Sequence, residues 1–469
     1  MSGTSTGLAT PERLSRASGH GRPAAPVRIL HLGLGNFFRA HQAWYTDHAP
    51  DADQWGIAAF TGRSAAMADA LEPQGGLYTL VTRSAEGDRF EVVSSISAVH
   101  DGADHAAWLA RWASPELSVV TLTVTEAGYL RTPDGRLDTA RADVRADVEA
   151  LRADPTAPVQ TTPGRMVAGF LARRAADAGP VAILPCDNIP ANGPALAAVA
   201  ADLAALVDPS LGGWMADHAL FGTTMVDRIT PATTDEHRAA VLAATGLVDA
   251  SPVPTEPFSE WVVAGEFPNG RPAWEAAGAR VVDDVLPFEE RKLWLLNGAH
   301  SLLAYAGPGR GHQTVAEAIA DAEVRGWVEQ WWEEASRHLS LPPADVATYR
   351  VALLARFENP TIRHALAQIA GDGTQKVPVR IVPVLRAELA AGRVPVGATR
   401  AVAAWVAHLR GHGAPVADVS DEAGRLGAGT LEESVDAVLA FLAPDLMADG
   451  RVRDAVLAHA RELTAAPRP

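Results

Sequence analysis

A chain of 469 residues with 48% hydrophobic and 20% charged residues can bury large cores and reads as a globular protein of two or three domains. Its formal net charge of −16 excludes nucleic acid or an anionic membrane as the main partner, since both would be repelled, and points to a small molecule instead. A single cysteine, Cys186, excludes internal disulfides and a Cys-built zinc site and fits a reducing cytoplasm, and no apolar run approaches the ~18–20 residues of a membrane span.

Residues 1–26, rich in Ser, Gly, Arg and Pro and lacking the apolar region of a signal peptide, are expected to form a disordered tail. Order should begin at Val27, where V-R-I-L-H-L meets G-L-G-N-F-F-R-A-H-Q, a buried-strand pattern running into a glycine turn and a helix. Gly33 and Gly35 occupy the first two glycine positions of G-x-G-x-x-G, which lets backbone N–H groups approach a pyrophosphate; the third position is Phe38. Two glycines alone fit an ordinary strand-to-helix turn equally well.

Strand and helix patterns then alternate. W-G-I-A-A-F ending near Phe60 reads as a strand and Ala65–Leu71 as a helix, while L-Y-T-L-V-T and F-E-V-V-S-S-I-S read as a hairpin or meander. Ala106–Trp112 is expected to be helical, and Leu117–Glu126 is the most strongly β stretch of the chain. Helices over 142–151 and 164–178, a buried strand over Val181–Asn188 and a helix reaching Leu206 complete the series. The pattern predicts an α/β fold: a Rossmann-type, doubly wound, largely parallel sheet over 27–286, with Gly33, Glu126 and Asn188 at the carboxyl ends of strands, where such sheets bind ligands. From Pro287 to the end, helical patterns over 315–338, 344–357, 379–391, 399–409 and 431–442 predict a mostly α-helical second domain, 287–469.

The second domain opens on P-F-E-E-R-K-L-W-L-L-N-G-A-H-S-L-L-A-Y, Pro287 to Tyr305, centred on Lys292. Only Lys292 and Lys376 are lysines among the 40 basic residues, so cationic duty elsewhere falls to Arg, which cannot act as a base. In an α-helix Asn297 would sit about 140° and His300 about 80° round from Lys292, giving one broad face an amine, an amide and an imidazole. Gly298 within that helix costs roughly 1 kcal/mol relative to Ala, which close packing or a ligand would justify. A core helix whose polar groups satisfy one another is the plainer alternative. Oxidation of a secondary alcohol needs a base for the hydroxyl proton and fixed donors for the alkoxide, roles suited to a desolvated Lys and to the Asn188 and Asn297 amides. His300 could bind a substrate hydroxyl, and the scheme needs no zinc, for which the sequence offers no ligand cluster.

Six ordered stretches carry a resemblance: G-L-G-N-F-F-R-A-H-Q, S-V-V-T-L-T-V-T-E-A-G-Y, C-D-N-I-P-A-N-G, T-M-V-D-R-I-T-P-A, N-G-R-P-A-W-E and K-L-W-L-L-N-G-A-H-S. In order and spacing they resemble the polyol-specific long-chain dehydrogenases, a family of mannitol, arabinitol and fructuronate (mannonate) oxidoreductases, over roughly residues 27 to 460. The resemblance implies a zinc-independent NAD enzyme with Lys292 as general base, Asn188 and Asn297 as the alkoxide-stabilising pair, His300 on the substrate, Asp227 in support and Glu126 beside a proton path. Gly33, Gly35, Asn36, Phe37, Arg39 and Arg63 are the expected cofactor contacts. The stretch Phe357–Pro378 looks like the fructuronate reductase version, with Gln368 where mannitol enzymes usually carry Arg. Lys376, or Arg363 as a second candidate, would supply the cation that a uronate carboxylate needs, unless Lys376 only caps a helix.

Two departures stand out. Phe38 replaces a His common in the family, and the loop Thr61–Ala66 lacks the acidic residue that selects NAD. Arg63 with Ser64 could instead accept a 2′-phosphate, so NADP is the alternative to NAD. The expected partner is a sugar acid or polyol, handled by a cytoplasmic monomer or small homo-oligomer, and the rival reading is a dinucleotide-binding sensor without catalysis.

Overall fold

The computed structural model describes residues 11–445 and 450–465, and the chain divides into one unit ending at Val285 and a second beginning at Leu286. The first is built on six parallel strands: β1 (Val27–Leu32), β2 (Gly56–Phe60), β3 (Ile96–His100), β4 (Val119–Leu122), β5 (Val181–Pro185) and β6 (Ala219–Phe221). Their order across the sheet is β3-β2-β1-β4-β5-β6, the doubly wound dinucleotide-binding order. Side chains alternate between faces along a strand, and both faces are covered. Leu30, Leu32, Val120 and Leu122 pack with Trp108, Trp112 and Phe170, whereas Ile29, Ile57 and Val119 pack with Phe38, Trp261 and Trp274.

Three expectations change here. Leu117–Glu126 is a strand only over Val119–Leu122, because its neighbour β1 ends at Leu32 and β-prone residues beyond that point have nothing to pair with. The chain instead makes a short 3₁₀ turn over Glu126–Tyr129. Tyr78–Ser84 and Gly87–Val93 do form an antiparallel hairpin, but Ile96–His100 leaves it to join the main sheet beside β2. The N-terminal tail falls partly outside the described residues, and from residue 11 onward it is ordered. Glu12–Arg13 pairs with Leu247–Val248, Leu14 is fully buried, and Arg16 donates to the carbonyls of Gly75, Ser94 and Ile96, each at 2.9 Å. One buried leucine and one saturated guanidinium outweigh the polar composition.

The second unit is helical. Ala299–Ala306 and Val396–Leu409 form its middle, with nearly every residue of both buried. Pro395 cannot cap the longer helix, so the Glu334 carboxylate, from Ala322–Ser336, accepts the N–H groups of Gly397 and Ala398 at 2.8 and 2.9 Å. The helix expected over 315–338 breaks at Asp321, whose carboxylate caps Ala322–Ser336, and the one expected over 379–391 is split between Gly373–Arg380 and Val382–Ala390, with Pro383 opening the second piece. Among the described residues no helix is long and apolar enough to cross a membrane.

Candidate active site

At the carboxyl ends of β1, β4 and β5 lie Gly33, Glu126 and Asn188 respectively. Gly33 has φ 111°, and a Cβ there would stand 2.4 Å from the Thr123 carbonyl oxygen, so only glycine fits the turn. Beneath it the buried His31 ring stacks on Phe38 at 3.4 Å and hydrogen-bonds Thr121 Oγ1 at 2.8 Å and Thr123 Oγ1 at 3.2 Å. Thr123 in turn donates to the Gly33 carbonyl at 2.8 Å. Burial lowers the His31 pKa to about 3, so the ring is a neutral strut.

Two expected cofactor contacts turn out to serve the turn itself. Arg39 is fully buried and donates to the carbonyls of Ser251 at 2.5 Å and Gly35 at 3.2 Å and to Asn36 Oδ1 at 2.6 Å. The Asn36 amide donates to the Pro231 carbonyl and Thr233 Oγ1, both at 3.1 Å. Neither polar head is turned out towards a ligand, because a buried guanidinium must satisfy its donors within the protein. Phe37 stacks on His41 at 5.0 Å, and Arg63 is exposed on the loop after β2.

Asn188 is exposed, one residue beyond Asp187. The Asp187 carboxylate accepts the Tyr129 hydroxyl and the Ile189 N–H at 2.9 Å, and Asn192 binds both backbone groups of Thr224, at 2.9 and 3.0 Å. These bonds fix the loop that presents Asn188. Asp227 is buried at the end of the strand Thr223–Asp227, opposite Glu260, and Glu126 is exposed.

In the second unit, Lys292–Gly298 is a π-helical turn between Leu286–Arg291 and Ala299–Ala306. The α-helical angles expected for this stretch therefore do not apply. With backbone bonds reaching five residues instead of four, Asn297 comes round to the side of Lys292. Gly298 is explained by packing: a Cβ there would stand 2.6 Å from the Trp331 ring.

His300 is buried against Phe357 and the edge of His364, each ring 4.9 Å away. Its pKa lies well below the usual value because of burial first and then the neighbouring His364, Arg356 and Arg380. Arg380, half-buried, donates to Ser301 Oγ at 3.1 Å and to the Asn297 carbonyl at 3.4 Å. Among the described residues it has no carboxylate partner, and burial lowers its pKa. Lys376 spends two of its N–H groups on the carbonyls of Ile369 at 3.3 Å and Gly371 at 2.5 Å, at the end of the helix Leu366–Ala370. Burial and the neighbouring Arg380 lower its pKa. Gln368 and Arg363 are exposed.

The second unit thus brings Lys292, Asn297, His300, Ser301 and Arg380 onto one helical segment and its neighbour. Arg380, Arg356 and His364 were not singled out in the sequence. The available signal was spacing: Arg380 follows Lys376 by four residues on one helix face. Among the described residues no group of three or more His, Cys, Asp or Glu is placed to hold a metal ion.

The mannitol dehydrogenase Rossmann domain matches residues 27–276, and the mannitol dehydrogenase C-terminal domain matches residues 284–455. D-mannonate oxidoreductase of Escherichia coli (strain K12) is 36% identical over 395 residues, 82% of this chain and 80% of that protein. A crystal structure of substrate-free D-sorbitol dehydrogenase superposes with a TM-score of 0.87 at 29% identity, covering 95% of each chain. The Pseudomonas fluorescens mannitol 2-dehydrogenase, in a ternary complex with NAD and D-mannitol, superposes with a TM-score of 0.76 at 31% identity, covering 96% of this chain and 94% of that one. Both domains, in order and over most of their length, are those of one family: the chain belongs to the mannitol dehydrogenase family and is an oxidoreductase acting on CH–OH groups.

Proposed function

We propose that this chain is a fructuronate reductase, interconverting D-fructuronate and D-mannonate by hydride transfer with NAD. The observation that carries the reading is Arg380: a half-buried guanidinium beside Asn297 and Ser301, with no carboxylate partner among the described residues. Arg356 adds to the positive field around His300. A buried cation without a counter-ion is costly, and a substrate carboxylate would relieve that cost through a charge-assisted pair. A neutral polyol such as mannitol or arabinitol would leave it in place. Lys376, with two donors already on backbone carbonyls, then plays a lesser part, with Gln368 and Arg363 at the rim.

NAD, when bound, accepts the hydride from the alcohol carbon. The turn at Gly33 and Gly35 would hold its pyrophosphate, and Arg63 would lie by the ribose. Lys292 takes the hydroxyl proton, the Asn297 and Asn188 amides steady the alkoxide, and neutral His300 bonds a substrate hydroxyl. Asp227 and Glu126 keep their supporting roles in this reading. Turnover of D-fructuronate, D-fructose and D-xylulose with NADH and with NADPH tests it. A preference for fructuronate is expected, and faster reduction of fructose would refute it.

A further inference from the structure

A π-helical turn is rare, since widening the ring weakens packing across the axis, and it persists where neighbours hold it in place. At Lys292–Gly298 those neighbours are visible. The Trp331 Nε1–H donates to the Trp294 carbonyl and the Trp332 Nε1–H to the Leu295 carbonyl, both at 2.8 Å. Arg380 donates to a third carbonyl of the same turn, that of Asn297. Trp331 and Trp332 are consecutive in Ala322–Ser336 and are 0% and 2% exposed.

Trp331 is held on two sides, at its ring and at its backbone. Gly298 lets the ring lie against the turn, and Gly397 lets the next helix lie against the Trp331 backbone, where a Cβ would come within 2.7 Å. A buried indole must find an acceptor, but a regular α-helix offers its carbonyls to its own N–H groups. Two adjacent indoles on two adjacent carbonyls therefore favour the lengthened turn over the regular one. The consequence falls on Lys292 and Asn297, five residues apart, which only the longer turn brings round to one side.

We propose that Trp331 and Trp332 are positioning residues: their indole N–H groups hold Lys292–Gly298 in the π form, and that form aligns the Lys292 amine with the Asn297 amide. The inference rests on the reading of Lys292 as base and Asn297 as alkoxide donor. Misplacement of such groups by about 1 Å can cost about 10²-fold in rate.

The test replaces each indole by Phe and, to keep the ring volume while removing only the N–H, by 2-naphthylalanine. Crystal structures of both naphthylalanine variants come first. Return of residues 292–298 to an α-helix, with faster amide exchange confined to 286–306, is expected; retention of the π turn in both variants with unchanged exchange would overturn the inference. In steady-state reduction of D-fructuronate, D-fructose or D-xylulose, whichever is turned over with NADH, kcat should fall at least about tenfold with KM within about twofold. The pH limb of kcat/KM that disappears in Lys292→Ala should also move. Unchanged kcat and an unmoved limb in every variant would count against the inference. Failure of the underlying reading looks different: Lys292→Ala would keep its turnover, whatever the indole variants did.

Discussion

Removing the Lys292 amine takes away the proposed proton acceptor, so Lys292→Ala should lower kcat by about 10²-fold or more, while NADH binding followed by fluorescence stays near the wild-type value. Asn297→Ala should slow the hydride step by roughly 10²-fold if its amide stabilises the alkoxide, read by single-turnover kinetics. Arg380→Leu separates substrate classes: KM for D-fructuronate should rise at least tenfold, by about 1.4 kcal/mol or more, and KM for D-fructose much less. His31 and His408 carry a stability prediction, since burial lowers their pKa values to about 3 and about 4. An unfolded His titrates near 6.5, so below that pH the unfolded chain binds protons that the native rings refuse. The contribution is whole above pH 6.5 and is lost as pH falls to about 4 for His408 and about 3 for His31, by up to about 1.4 kcal/mol per unit for each ring, and His31→Gln should flatten the acid limb of a urea-unfolding series. At this scale the scarcity of lysine made Lys292 legible. Arg380 was hidden as one of 38 arginines, because only folding shows which guanidinium lacks a counter-ion.

Gly298 shows how an element can reverse a local preference. In an isolated helix Gly→Ala is favourable by roughly 1 kcal/mol, yet here the new methyl would meet the Trp331 ring at 2.6 Å. Gly298→Ala should therefore destabilise the protein by about 1–3 kcal/mol, measured by chemical unfolding, and distort the π turn. The loop after β2 carries the coenzyme question. Arg63 is exposed there with no carboxylate in Thr61–Ala66, so Arg63→Ala should weaken NADPH binding more than NADH binding if that loop reads the 2′-phosphate. Element boundaries were legible wherever apolar periodicity and capping residues agreed, as at Val27–Leu32 and Leu431–Leu442. They failed where pairing decided the outcome, as at Leu122, or where a distant side chain did, as with Glu334 capping Val396–Leu409. The π turn could not be seen either, since residues 292–298 show an ordinary helical pattern and their indole partners lie more than 30 positions away.

Across the whole molecule, catalysis without metal is the remaining expectation, and prolonged dialysis against EDTA should leave kcat within about twofold; a loss restored by zinc would refute it. By itself the sequence determined the alternation of strands and helices, the change to a mostly helical pattern from residue 287 and the glycine turn at Gly33. Each follows from local periodicity or from one backbone conformation that only glycine adopts. Tertiary structure decided which polar groups are left for chemistry. Arg39, Asn36 and much of Lys376 are spent on the protein's own carbonyls and amides, while Arg380 has no carboxylate partner among the described residues. Desolvation is a property of surroundings assembled from distant parts of the chain, so the same residue type becomes a strut in one place and a candidate anchor in another.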